Sequence, residues 1–159
     1  MIPVQRINHA VLYVRDAQVA ADFYRDAFGF ETVAEAGRGA VFLRAPASEN
    51  HHDLGLFSIG AGAPGPVRGA VGLYHLAWEV PTIDDLADAR AALLQLGALV
   101  GESDHGVSKS LYAKDPDGNE FEVMWSVPRE AWGDAEHEGF TRRLDLDAEL
   151  ARFGSGGRR

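Results

Sequence analysis

Residues 73–97, LYHLAWEVPTIDDLADARAALLQLG, repeat the plan of residues 7–29, INHAVLYVRDAQVAADFYRDAFG. Each stretch opens on a short apolar strand with a histidine as its third residue, then runs into an amphipathic helix closed by glycine. In the first helix Asp16 is the expected N-cap, Val19, Phe23 and Ala27 the apolar stripe, and Gly29 the stop. In the second, Thr82 caps, Asp85 completes a capping box, and Leu86, Ala89, Leu93 and Leu96 form the stripe before Gly97. Chance similarity of two α+β stretches is the plain alternative. The order of elements and the placed histidine recur together, which favours a duplication.

Working outward, each helix is followed by three strand-like runs. These are FETVAEA, GAVFLRA and DLGLFSI in the first half, and ALVGES, KSLYAKD and NEFEVMW in the second. DPDGN at 115–119 is a strong turn. The expected organisation is therefore one domain over 1–127, with a βαβββ module at about 5–60, a Gly/Pro-rich linker at 60–70 and a second module at about 71–127. Residues 128–159 form a C-terminal extension. In it LDLDAELARF (144–153) reads as a helix, and Arg158 and Arg159 read as a loose tail.

The 159 residues carry a formal net charge of −9 and no cysteine. No basic stripe for nucleic acid is present, and disulfide or thiolate chemistry is excluded, so a metal site must use His, Asp or Glu. No apolar run of about 18 residues and no signal-like opening is seen, which makes the cytoplasm the default expectation. No glycine motif for a dinucleotide follows a strand.

Three residues stand out. His9 and His75 hold equivalent places in the two halves, and Glu122 lies on the last strand. Strand alternation places His75 with Ala77 and Glu79, and Glu122 with Glu120 and Met124. A histidine and a carboxylate in apolar strands are costly to bury unless paired, and a shared divalent metal pairs them. Two histidines and one carboxylate form the facial set of non-haem Fe(II) sites; Mn(II) suits it equally. Glu120 is the competing carboxylate. The pair His51–His52 in SENHHDLGLF (48–57) raises a different question. Alternation sets His52 with Leu54 and Leu56, and His51 with Asp53, so only one of the two is expected to point inward. The plain reading is that both decorate a loop.

NHAVLYV, HHDLGLF, YHLAWEV and DHGVSKSLYAKDPDGNEFEV resemble the vicinal oxygen chelate superfamily, and within it the type I extradiol (catechol 2,3-dioxygenase-like) enzymes. The resemblance covers about residues 5–127. It implies an α+β fold of two βαβββ modules forming a cupped, incompletely closed mixed β-barrel with helices outside, here with a C-terminal helical extension. It implies metal ligands at His9, His75 and Glu122, a catalytic acid/base at His52, and donors to substrate oxygens at His105 and Tyr112. The implied reaction inserts O2 into a catechol-type aromatic at Fe(II) or Mn(II), with no nucleic-acid or membrane partner. Most known extradiol enzymes are about twice this length, which makes a homodimer or higher homo-oligomer the expectation for this two-module chain.

Glyoxalase I shares the fold but uses four protein ligands. The His75-to-Glu122 step of 47 residues, taken from His9, lands on Leu56, and no Glu occurs in 50–60. That favours three ligands over four. Another metal-dependent lyase, isomerase or epimerase, and a non-catalytic small-molecule binder, stay open beside the dioxygenase reading. Trp78 and Trp125 read as core, Trp132 as a lid or interface residue, and His137 as a solvated surface residue.

Overall fold

The computed structural model describes residues 1–157 apart from Arg38 and Phe140; the Arg158–Arg159 tail lies outside them. The chain divides into two compact units, residues 1–66 and 67–159. Unit one contains β1 (Ala10–Val14), α1 (Ala17–Phe28), β2 (Glu31–Ala36), β3 (Ala40–Arg44) and β4 (Leu54–Ser58). Unit two repeats this order with β5 (Leu76–Glu79), α2 (Ile83–Gln95), β6 (Leu99–Asp104), β7 (Ser108–Lys114) and β8 (Glu120–Ser126), then adds α3 (Leu146–Phe153). Each unit holds one open four-stranded mixed sheet, ordered β1-β4-β3-β2 and β5-β8-β7-β6. The parallel pair in each sheet joins the first strand to the last. Among the described residues, no helix is long and apolar enough to cross a membrane.

Local chemistry explains the elements. The Asp16 carboxylate accepts hydrogen bonds from the backbone N–H groups of Gln18 (2.8 Å) and Val19 (3.2 Å), starting α1. Thr82 and Asp85 form the reciprocal capping box of α2. The buried face of α1 is Ala17, Ala20, Ala21 and Tyr24, whereas Val19, expected in the stripe, is 54% exposed. The stripe is rotated because small alanines let the helix lie close to the sheet, while Tyr24 stacks on Phe28 and Phe30. In α2 the buried residues are Ile83, Leu86 and Leu93, and Leu96 is exposed.

In each sheet one face is the core. In unit one Leu12, Val14, Leu43, Leu54 and Leu56 are buried. In unit two Leu111, Phe121, Val123 and Trp125 are buried. The opposite face is the one that carries the candidate chemistry. The C-terminal segment packs on the core side of unit two: the Phe153 ring of α3 lies 5.3 Å from that of Trp125, tilted by 57°, and the Ser155 N–H donates to Asp84. Trp132 is tied into its own segment, donating to the Val127 carbonyl and lying under the Arg129 guanidinium. His137 is exposed.

Two expectations from strand periodicity need correction. His9 and His75 stand immediately before β1 and β5, not inside them, because pairing with the last strand begins at Ala10↔Leu54 and Leu76↔Phe121. His51 and His52 likewise precede β4, so strand alternation does not govern them.

Candidate functional site

In unit two the parallel pairing Ala77↔Glu122 and the antiparallel pairing Tyr112↔Glu122 set those three side chains on one face of the sheet. The turn before β8 prepares this. Asp115 is buried and accepts the N–H groups of Asp117 and Asn119, each at 2.9 Å. Burial, the larger effect, still leaves its carboxyl above the usual range despite these donors. Gly118, at φ +88°, takes the left-handed conformation the turn needs.

Glu122 is 9% exposed, and its Oε2 lies 3.1 Å from His75 Nε2. Two ligands about 2.1 Å from one ion at a right angle stand about 3.0 Å apart, so this spacing suits adjacent positions on a metal. His75 Nδ1 is buried with no hydrogen-bond partner among the described residues, so the ring is anchored by Tyr74 at 4.8 Å and Tyr112 at 5.6 Å. Among the described residues no three His, Asp or Glu side chains form a ready metal cluster; unit two brings two together. An imidazole nitrogen and a carboxylate oxygen suit a divalent ion such as Fe(II) or Mn(II). Glu120 is less buried than Glu122 and pairs in register with Lys114.

Beside this pair, the Tyr112 hydroxyl lies 2.9 Å from His105 Nε2. Burial first, and then the Glu122 charge, hold the phenol above its usual pKa. Tyr112 therefore stays a hydrogen-bond donor at neutral pH.

In unit one His9 and His52 meet, ring centroids 4.5 Å apart. His52 also packs edge-on to Phe42 at 5.0 Å, and its Nδ1 lies 3.1 Å from that of His51. His52 is half-buried and His51 exposed. Burial, followed by the neighbouring His9 and His51 rings, lowers the His52 pKa. Phe42 pairs with Gly55, so His52 lies on the face of Phe42 and Gly55, opposite Leu54 and Leu56. This reverses the expected grouping of His52 with those leucines.

The register also corrects the search for a fourth ligand. Val11 pairs with Gly55 where Ala77 pairs with Glu122, so the counterpart of Glu122 is Gly55. Leu56 is fully buried on the core face. Leu56 and Gly55 differ by one position because the loops of the two halves differ in length. The implication of three ligands is unchanged, since glycine offers no ligand.

The residues that periodicity missed lie in the loop before β4. Asn50 donates to Asp53 Oδ1 at 2.7 Å and to the Asn8 carbonyl at 2.9 Å, while Asn8 Oδ1 lies 2.8 Å from His9 Nδ1. Burial pushes Asp53 up, but the donors from Ala45, Ser48 and Asn50 outweigh it and hold the carboxyl below its usual range. This network ties the His51–His52 loop to the segment bearing His9. The cluster of polar residues in SENHHD was its only sequence signal.

Residues 6–123 match the model of the Glyoxalase/Bleomycin resistance protein/Dioxygenase superfamily. The chain is 32% identical over 152 residues to a catechol-2,3-dioxygenase of Bacillus subtilis, covering 93% of this chain and 52% of that protein. It therefore spans about half the length of that relative. It is 33% identical over 146 residues to biphenyl-2,3-diol 1,2-dioxygenase 3 of Rhodococcus globerulus, covering 89% of this chain and 75% of that protein. A solved lactoylglutathione lyase from Agrobacterium tumefaciens superposes with a TM-score of 0.59 at 28% identity, covering 83% of this chain and 99% of that one. With the family model spanning most of its length, the chain belongs to the Glyoxalase/Bleomycin resistance protein/Dioxygenase superfamily.

Proposed function

We propose that the protein is a metal-dependent extradiol dioxygenase that inserts both atoms of O2 into a catechol-type aromatic. The carrying observation is the 3.1 Å His75–Glu122 pair with Tyr112 beside it on one sheet face and His105 within hydrogen-bond reach of Tyr112. His75 and Glu122 would hold the ion, with His9 as third ligand on the strength of its matching place in the repeat. When bound, Fe(II) or Mn(II) supplies Lewis-acid and electron-transfer chemistry that draws density from a deprotonated catechol towards O2. His52 accepts the catechol proton. Tyr112 and His105 donate hydrogen bonds to substrate oxygens and fix the ring's orientation. Both oxygen atoms enter the product, so no external reductant is required. Gly55 in place of a fourth ligand, and the relatives named as catechol and biphenyl-diol dioxygenases, support this reading over a four-ligand lyase.

The test is metal analysis followed by O2 uptake with catechol and 2,3-dihydroxybiphenyl. One metal per chain, with O2 consumption and a yellow ring-opened product, is expected. Tight metal binding without O2 uptake across a catechol panel overturns the dioxygenase reading and points to a lyase or isomerase; absence of metal binding points to a sequestering protein. Metal content of His9→Ala shows whether His9 is the third ligand.

A further inference from the structure

We infer that Thr141, in the C-terminal segment, is a positioning residue that fixes the ring tautomer of His105. The inference rests on the proposed role of His105. Thr141 Oγ1 lies 3.1 Å from His105 Nδ1, while the Tyr112 hydroxyl lies 2.9 Å from Nε2. The imidazole is thus held at both nitrogens, one by the strand beside Glu122 and one by a segment 36 residues away in sequence.

That segment is held in place. Arg142, next in the chain, pairs main chain to main chain with Asp104, with N···O distances of 2.9 and 3.0 Å. Its guanidinium Nε donates to Asp104 Oδ2 at 2.8 Å. The other Asp104 oxygen accepts the Gly106 N–H at 2.8 Å and the Lys109 ammonium at 2.6 Å. Lys109 is 2% exposed and reaches Glu149 of α3 at 3.4 Å. The buried Asp104–Lys109–Glu149 charges, with the exposed Arg142 on Asp104, therefore join the hairpin turn that bears His105 to two points of the C-terminal segment. Thr141 is delivered to His105 by this clamp.

The direction of the hydrogen bonds follows from the proposed role of His105. Tyr112 and His105 each keep a proton on the side of the site when Nε2–H faces the Tyr112 oxygen and the Thr141 O–H donates to Nδ1. His105 is thereby kept as the Nε2–H tautomer.

The experiment is 15N NMR of the full-length, histidine-labelled chain after chelation, at about pH 8.5 where an ordinary imidazole is neutral. The His105 signals are assigned by their loss in His105→Gln. The wild type should show the Nε2–H pattern. Thr141→Val, which keeps shape and removes the donor to Nδ1, should raise the Nδ1–H share, with Tyr112 O–H then donating to Nε2; Thr141→Ser should restore the wild-type pattern. In ring cleavage, Thr141→Val should lower kcat about tenfold with KM unchanged. An unchanged tautomer in Thr141→Val, or an Nδ1–H ring in the wild type, overturns the positioning role whatever the activity. A tautomer that shifts in a protein without O2 uptake upholds the positioning and sinks the dioxygenase reading instead.

Discussion

In unit one the parallel strands set Val11 beside Gly55, with Phe42 on Gly55's other side; in unit two the matching strands set Ala77 beside Glu122, with Tyr112 on its other side. The correspondence continues along the face: Tyr13 and Phe57 answer Glu79 and Met124, and Ala40 answers Ser110. One backbone plan thus presents two chemistries. Unit one offers aromatic and aliphatic side chains around a histidine pair, with Tyr13 71% and Val11 51% exposed. Unit two offers a carboxylate, a phenol and hydroxyls. A duplicated module keeps its core and its turns because both copies need them to fold. Its open face is under no such constraint, and there the copies differ, unit two carrying a carboxylate, a phenol and hydroxyls and unit one a more apolar surface.

The sharpest way to break this comparison is to remove the carboxylate that distinguishes unit two. Glu122→Gln should reduce bound metal from one per chain to near none, and ring cleavage by at least about a thousandfold. Metal analysis and O2 uptake read both. Retention of metal would move the ligand role to Glu120.

His52→Phe tests unit one. A phenyl ring fits among His9 and Phe42 but carries no proton, so kcat should fall about 10²- to 10³-fold while metal content stays at the wild-type value. Loss of metal in this variant would make His52 a ligand and break the division of labour between the halves.

Asp104→Asn tests the charge clamp of unit two, which has no counterpart among the described residues of unit one. Removing one member of a buried charge cluster costs about 3 kcal/mol, so Tm should fall by about 6–12 °C at pH 7. Burial pushes the Asp104 carboxyl up, but Lys109, the Gly106 N–H and Arg142 outweigh it and hold it below the ordinary value. A depressed folded-state pKa contributes stability above the unfolded pKa of about 3.9 and loses it as pH falls through the lower folded value. The Tm gap between wild type and Asp104→Asn should therefore narrow below about pH 4. Thermal melts across pH check the sign, and a gap that widens in acid would contradict it.

How much of this was legible in the sequence divides along the same line. Among the described residues, the eight strands and three α-helices could be read because caps, turns and apolar runs are local: Thr82–Asp85, Asp115–Asn119 and Gly97 act within a few residues. His75 was legible through the repeat, and Glu122 through its place on the strand after the 115–119 turn. The face taken by His52, the Asn8–Asn50 link and the Thr141–His105 contact were not. Asn8–Asn50 and Thr141–His105 join residues 42 and 36 apart, and His52 lies in a loop, where no periodicity applies. The counterpart of Glu122 was missed by one position for the same reason, since counting along the chain ignores loop length while strand register does not.

The smallest expected effect lies at that counterpart. A Cβ added at Gly55 would meet Val11 Cγ2 at 3.4 Å and two Phe42 ring carbons at 3.5 Å. These contacts are at or near ordinary van der Waals separation, and the backbone there is not left-handed. Gly55→Ala should therefore change stability by less than about 1 kcal/mol, the gain from a stiffer unfolded chain offsetting the slight crowding. Metal content should not change. A longer side chain is another matter: Gly55→Glu must push the Phe42 ring aside, at about 1–3 kcal/mol. Phe42 thus stands where unit one would need space for a fourth ligand. Denaturant melts of the two variants test this. If Gly55→Glu is as stable as Gly55→Ala and binds additional metal, the ring is no barrier and the two faces are less different than their register makes them.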